Sequence, residues 1–180
     1  MKNVIFSALM AVGLMMVPVA AKAEVTIGVV DVKYVMLESN AAKGLQKQIK
    51  DQSEAFQAEF SKFDRELKDM QAALAKGRSD NASQEDMKKK SAEFEKKLSD
   101  TQALYKKRVD GFEKSKSEAL KTLSEAVLKE TEKVAAEKKL NLVLNKGMVI
   151  VGTKELDVTD AVMTSMNKNL KEVKLKAATN

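Results

Sequence analysis

The side chains that most often perform catalysis are missing from this chain or scattered along it. The 180 residues include no histidine and no cysteine, which removes the commonest general base, the commonest metal ligand and all thiol chemistry. The carboxylates are spread along lysine-rich segments, and no glycine-rich loop for holding phosphates is present. We therefore predict that the protein is not an enzyme, uses no cofactor or metal, and needs no ATP hydrolysis.

One group of basic side chains could instead bind a charged partner. Its members are Lys76, Arg78, Lys88, Lys89 and Lys90. Such a run is usually only a solvated helix face, and neighbouring acidic residues dilute its charge. Near a membrane, however, each basic residue can add about 1 kcal/mol of attraction to anionic lipid headgroups. The residues alone leave both interpretations open.

The basic group surrounds the predicted turn of a long helical hairpin, residues 44–140. Gly77 is predicted to stop the first helix, residues 77–83 to form the tip, and Ser83 to cap a second helix from about Gln84 to Lys139. Apolar residues recur at steps of three and four along both helices. The stripe of the first helix is Leu45, Ile49, Phe56, Phe60, Phe63, Leu67, Met70 and Leu74. That of the second is Met87, Phe94, Leu98, Tyr105, Val109, Phe112, Leu120, Leu123, Val127 and Val134.

Strand-forming segments flank the hairpin and predict a small body made of residues 24–43 and 141–180. Apolar residues alternate with others from Val25 to Val29, as in a half-buried strand. An amphipathic helix is predicted to begin after Thr159. The first strand must pair with strands more than a hundred residues later, so the hairpin is an inserted arm. The predicted class is α+β, mostly α, with a β-containing body and a long antiparallel, coiled-coil-like arm.

The second part of the predicted sheet is a β-hairpin. Leu142–Leu144 and Met148–Val151 would pair around a three-residue loop, with Gly147 in the left-handed conformation. A body of about sixty residues is near the size at which one core becomes marginal, and a few strands leave open edges. We therefore predict a homo-oligomer held together by the body. The candidate interface residues are Ile27, Val29, Leu142, Leu144, Val149 and Val151.

The first 23 residues have the features of a secretory signal peptide. Lys2 precedes an apolar run that ends near Val19, and Ala21-Lys22-Ala23 is a small-x-small cleavage site. Without Lys2 and Lys22, the 32 basic side chains become 30, against 26 acidic ones, which leaves a net charge of +4. An exported chain without cysteine has no disulfide scaffold, so packing or assembly must stabilise it. We predict that it is located in the bacterial periplasm.

The order of these parts resembles the Skp/OmpH family of periplasmic chaperones. The resemblance covers the whole mature chain and is clearest in the segments Ile27–Asp31, Leu140–Asn145 and Leu156–Thr159. It implies a homotrimer whose strands form a central body and whose three arms surround a cavity. The family holds unfolded outer-membrane proteins there, and lipopolysaccharide binding has been proposed for it.

The resemblance makes apolar side chains of the arm candidate contacts for an unfolded client. They are Phe56, Phe60, Phe63, Met70, Met87 and Phe94. Methionine is an adaptable contact at promiscuous surfaces, but the helical spacing of the set also fits the seam between the two arm helices. The main alternative function is a structural coiled-coil spacer of the cell envelope. Binding to nucleic acid is not expected, because the export signal directs the chain to a compartment away from nucleic acid.

Overall fold

A computed structural model of the chain describes residues 25–80 and 82–176. The predicted signal peptide, residues 1–23, lies outside these residues. The elements are β1 (Ile27–Val30), α1 (Val32–Glu38), α2 (Asn40–Ser79), α3 (Gln84–Glu137), β2 (Leu142–Asn145) and α4 (Thr159–Asn169), with single 3₁₀ turns at Lys146–Met148 and Lys154–Leu156. This order confirms the α+β class with long helices and a small sheet.

The sheet consists of two parallel strands that lie more than a hundred residues apart in the chain. Ile27 of β1 lies opposite Leu142 of β2, and the pairing continues for four residues. The other side of β1 is also occupied, because Val29 forms a parallel bridge with Asp157 and the Val158 N–H donates to the Val29 carbonyl at 2.8 Å. Within the described part of the chain, the outer edge of β2 is therefore the open edge of this sheet.

The predicted β-hairpin after β2 is wrong. Residues 146–148 form a 3₁₀ turn that the Asn145 side chain caps by accepting the Gly147 N–H at 3.1 Å. Gly147 does not take a left-handed conformation. Val149 and Val151 consequently lie on no strand within the described residues. The apolar residues of this segment are instead left exposed, Met148, Ile150 and Val151 most of all.

The arm is an antiparallel pair formed by α2 and α3. With ~1.5 Å rise per residue, the 40 residues of α2 span ~60 Å and the 54 residues of α3 span ~80 Å. The helix begins after Ser83 as predicted, since Ser83 Oγ accepts the Asp86 N–H at 3.1 Å. No helix in residues 25–80 or 82–176 has an apolar stretch long enough to cross a membrane.

The prediction that Gly77 stops the first arm helix is wrong, because α2 continues to Ser79. Gly77 is instead buried inside the last turns of the helix, against Met87 at the start of α3. A Cβ atom at this position would lie 2.7 Å from Met87 Sδ. The absence of a side chain at Gly77 thus lets the two helices approach closely beside the turn.

The hydrophobic core lies at the base of the arm, where both arm helices join α1 and α4. Its buried residues are Val30, Val35, Ala41, Ala42, Leu45, Ala119, Leu123, Val127, Val134, Val158, Val162, Met166 and Val173. Since the first turns of α2 and the last third of α3 supply many of them, the packed body is larger than segments 24–43 and 141–180 alone.

Candidate functional site

The aromatic residues of the arm meet in pairs between α2 and α3. The Phe56 ring packs edge to face on Phe112, with the centroids 5.5 Å apart. One turn further along, Phe60 packs on Tyr105 at 4.7 Å and on Phe63 at 6.0 Å. Edge-to-face pairs at these distances add to the stabilisation from burial. The central part of the arm is therefore held by an aromatic seam.

Charged side chains cover this seam from the outside. Lys97 lies 5.1 Å from the Phe63 centroid and forms an ion pair of 2.6 Å with Glu66. Arg108 lies 5.8 Å from the Phe56 centroid, and its Nη2 is 3.7 Å from the Glu59 carboxylate. Both ion pairs join α2 to α3, so they support the pairing of the helices as well as their solubility.

The remaining candidate contacts lie nearer the tip. Met87 packs against Gly77 beside the turn, and Met70 is half-buried on α2. Phe94 lines a surface groove of about 370 Å³ together with Leu74, Ala75 and Arg78. Polar and charged side chains, Gln71, Ser91 and Glu95, complete its lining. The groove therefore offers a small apolar surface of mixed charge.

All six candidate client contacts are half-buried. None is fully buried and none is fully exposed, so each side chain leaves part of its surface accessible. The aromatic part of the set, Phe56, Phe60 and Phe63, is brought together, whereas Met70, Met87 and Phe94 lie farther along the arm.

The five basic candidates lie at the tip and are exposed. Lys76 and Arg78 occupy the last turn of α2, where positive charge complements the helix dipole. Lys88, Lys89 and Lys90 follow in the second turn of α3, after the acidic Glu85 and Asp86 of its first turn. The turn therefore brings both groups of basic residues to one end of the arm.

At the opposite end of the arm, an apolar groove of about 540 Å³ lies between α3 and the sheet. Its apolar walls are Val30, Val32, Val127, Leu128, Ala135, Val143 and Leu144. Leu128 is 61% exposed although it stands beside the core residue Val127. The groove opens next to Leu144, on the strand whose outer edge is open.

A second apolar surface follows directly after β2. Met148 is 82% exposed, Ile150 99% and Val151 88%. Large apolar side chains rarely stand this open in sequence on a monomeric soluble protein, and such patches mark interaction sites. The body therefore carries three surfaces without a partner within the described residues: the outer edge of β2, the groove beside Leu128 and the exposed side chains of residues 148–151. We call them the three unsatisfied features of the body.

Residues 26–166 match the sequence pattern of a known family, which is described as outer membrane protein (OmpH-like). The chain belongs to the OmpH-like family. Its resemblance to that family is thereby confirmed. No curated protein sequence matches the chain significantly.

Among solved structures, the OmpH-like chain resembles a protein of the same type from Caulobacter crescentus, put forward as an outer membrane chaperone. The TM-score is 0.77 at 17% sequence identity, and the match covers 86% of this chain and 91% of the other. At this identity the likeness shows the fold, with its long arm and small body.

A buried carboxylate joins two elements at the base of this OmpH-like fold. Glu130 of α3 accepts hydrogen bonds from Ser165 Oγ at 2.5 Å and Asn169 Nδ2 at 2.7 Å, both on α4. The hydrogen bond from Ser165 holds the pKa of Glu130 below its ordinary value, although burial acts in the opposite direction. Since the folded pKa is lowered, this contact stabilises the fold above the ordinary glutamate pKa and is lost as the pH falls.

A second carboxylate secures the chain after β2. Asp157 Oδ2 accepts a hydrogen bond from Lys146 Nζ at 2.6 Å, and Oδ1 accepts the Thr159 N–H at 2.9 Å at the start of α4. These hydrogen bonds, that from Lys146 first, lower the pKa of Asp157 to about 2. Both carboxylates thus join elements of the body through hydrogen bonds. The described residues contain no group of acidic side chains arranged to hold a metal ion.

Sequence reasoning missed several exposed apolar residues of the body. Ile150 lies within the second strand of the predicted hairpin but was not among the candidate interface residues. In the structure its side chain is more exposed than that of Val149 or Val151. Leu128 lies one position away from Val127 of the apolar stripe of the second helix. This displacement was the one signal in the sequence that its side chain would be exposed. Leu120 and Tyr105 were assigned to the stripe but remain 41% and 53% exposed.

Proposed function

We propose that this protein is an ATP-independent periplasmic holdase that sequesters unfolded outer-membrane proteins between the arms of a homotrimer. The observation that carries the proposal is an arm of two helices that extends ~45 Å beyond the core of the body, in a chain that belongs to the OmpH-like family. A hairpin this long encloses no pocket by itself. Several such arms around one axis would surround a space large enough for an unfolded chain.

The contacts available on the arm suit the holding of an unfolded client. A barrel protein before insertion exposes apolar side chains and unpaired strand edges, and it aggregates in water unless it is covered. Half-buried aromatic and methionine side chains offer many weak apolar contacts. The surrounding lysines favour the approach of acidic segments. Such distributed contacts would retain a client without forcing it into one structure.

The three unsatisfied features of the body support assembly through that part of the chain. The open edge of β2 offers backbone hydrogen bonds, residues 148–151 offer exposed apolar side chains, and the groove beside Leu128 offers an apolar surface. Ile27 and Val29 lie on β1, which is already paired on both sides, so they would act from behind the interface. We therefore assign the contacts between copies mainly to Leu142, Leu144 and residues 148–151.

The holdase proposal is tested by dilution of a urea-unfolded outer-membrane barrel protein into buffer with or without the mature chain. Light scattering and the mass of the complex are recorded. We expect suppressed scattering and a complex of three copies with one client. Unhindered aggregation of the client beside an intact oligomer would contradict the proposal and favour a structural spacer of the envelope.

The exposed basic tip favours an additional contact with anionic lipid, either a phospholipid or lipopolysaccharide. Replacing Lys88, Lys89 and Lys90 by Gln should weaken co-sedimentation with anionic vesicles at low salt, because each lysine contributes about 1 kcal/mol. The matched control replaces three exposed lysines of the arm shaft, Lys62, Lys68 and Lys107. Equal binding by the two variants would show that the tip is not a lipid site.

A further inference from the structure

The last described residues of the chain, 171–176, form an extended segment that returns to the base of the arm after α4; we call this segment the strap. Val173 is only 4% exposed and belongs to the hydrophobic core, and Leu175 packs partly against the same core. The alternation places both apolar side chains on one side of the segment. The strap is therefore docked on the protein through a regular apolar face.

On its α2 side, the strap is held by one side-chain amide. Gln48 Nε2 donates to the Val173 carbonyl at 2.9 Å, and Gln48 Oε1 accepts the Leu175 N–H at 2.9 Å. The same amide group also lies 3.4 Å from the Glu172 carboxylate. Pairing a carbonyl and an N–H two residues apart is how one β-strand binds the edge of another, and here a single glutamine takes the place of the second strand.

On its α3 side, the strap is held by two further contacts. Ser115 Oγ donates to the Lys176 carbonyl at 2.7 Å, and Ser115 is itself buried. The ammonium group of Lys176 is 2.8 Å from the Glu118 carboxylate. The strap thus joins α2 and α3 at the same height along the arm.

This height is the boundary between the packed base and the projecting arm. Below it lie core residues such as Leu45 and Ala119. Above it, within residues 50–80 and 82–114, only Gly77 is buried. The strap is consequently the uppermost contact between the body and the arm, and it sets the point from which a long narrow hairpin can bend.

We propose that the strap limits the swing of the arm relative to the body, and that its release widens that swing. With the strap docked, bending begins above Gln48 and Ser115. With the strap released, it begins about one helical turn lower, near Leu45 and Ala119. A few hydrogen bonds and two apolar side chains hold the strap. It can therefore detach by local opening, which exposes Val173 while the rest of the core stays folded.

The consequence for clients rests on the proposed function. If the arms enclose a cavity, strap release enlarges it and lets the oligomer hold a larger unfolded chain. The movement of the arm itself does not depend on that function, because it follows from the contacts at the arm base alone.

The test measures the distance between the arm and the body by pulsed electron paramagnetic resonance. The chain has no native cysteine, so spin labels can be attached to cysteines introduced at Ala72 on α2 and Lys168 on α4, both exposed. Labelled chains are diluted with unlabelled ones so that only distances within one chain are recorded. No client is present during this measurement.

Two strap variants are compared with a matched control. One variant ends after Leu170, and the other combines Gln48→Leu with Ser115→Ala, which keeps the whole chain. The control combines Gln57→Leu with Ser117→Ala, the same changes at exposed positions of the same helices. Circular dichroism identifies the variants that remain folded, and the double variant decides the matter if the shortened chain does not fold.

We expect the distance distribution to become about twofold broader in the strap variants and to keep its width in the control. An unchanged width in a folded double variant would overturn the proposal. The aggregation assay is run separately on the same proteins. Broadening in the strap variants, without any protection of clients by the native chain, would refute the holdase function and leave the strap proposal standing. Protection of clients by the native chain, without broadening in the strap variants, would refute the strap proposal and leave the holdase function standing.

Discussion

Lys139 is the one residue with a side chain that takes a positive φ angle, 56°, among the described positions. It follows the last turn of α3, where the Leu140 N–H donates to the Ala135 carbonyl at 2.8 Å and the Lys139 N–H donates to the Ala136 carbonyl at 3.2 Å. This is the Schellman arrangement, in which the residue in the left-handed conformation is usually glycine. A lysine in this conformation costs the fold conformational free energy.

Lys139→Gly should therefore stabilise the protein by about 0.5 to 1 kcal/mol, because glycine adopts this conformation without a clash of its Cβ. The bond from Thr26 Oγ1 to the Lys139 carbonyl is made to the backbone and would persist. Denaturant unfolding provides the measurement. Lys138→Gly is the control, since Lys138 has a φ of −90° and gains nothing from glycine. A loss of stability in Lys139→Gly would contradict the prediction.

The lowered pKa of Asp157 predicts how the free energy of unfolding depends on pH. Its pKa is about 2 in the folded protein, against 3.8 ordinarily, so the carboxylate contributes about 2 kcal/mol above pH 4. This contribution should be lost as the pH falls from about 4 to 2, because protonation removes the contact with Lys146.

In Asp157→Asn, stability at pH 7 should fall by about 1 to 2 kcal/mol, and the difference from the native protein should vanish near pH 2. Unfolding free energies measured across this range check the prediction. Asp100→Asn, which removes an exposed carboxylate on the arm, is the control. A difference between Asp157→Asn and the native chain that stays constant with pH would show that the carboxylate acts only by its shape.

At the scale of the elements, the aromatic seam holds the central part of the hairpin together. Phe60 contacts both Phe63 and Tyr105, and it lies well above the core. Phe60→Ala should destabilise the arm locally by about 1 to 2 kcal/mol, which is less than for a fully buried phenylalanine because the ring is half-buried.

Amide hydrogen exchange can locate this effect. We expect exchange in residues 57–67 and 101–109 to become about tenfold faster, while residues 119–134 in the core keep their rates. Lys62→Ala, an exposed change two residues away, is the control. Uniform acceleration throughout the chain would mean that arm and body unfold as one unit.

At the scale of the whole molecule, the proposed contact between copies uses the exposed apolar residues after β2. Ile150→Glu should weaken self-association by about 3 kcal/mol per interface, because it would bury a charge in an apolar contact. Sedimentation velocity over a range of concentrations measures the change. Ala103→Glu on the arm adds the same charge at an exposed position outside the proposed interface. An intact oligomer in Ile150→Glu would exclude residues 148–151 from the contact between copies.

Much of the architecture could be predicted from local signals. The spacing of apolar residues predicts two long helices, Ser83 predicts where the second begins, and the segment before Asp31 predicts a strand that pairs beyond the arm. Gly77 misled the prediction, since a glycine that permits close packing of two helices has the same local signature as one that ends a helix. Only the position of Met87 across the turn distinguishes the two cases.

The candidate site was predictable in its composition and less so in its arrangement. The sequence by itself determined that this chain is a helical hairpin inserted in a small strand-containing body, because helical periodicity and capping are properties of neighbouring residues. Tertiary structure alone decided that residues 148–151 stand open, that a groove lies beside Leu128, and that Gln48 holds the strap. These features join residues far apart in the chain, and no local pattern encodes which distant group a strand edge or a side-chain amide will meet.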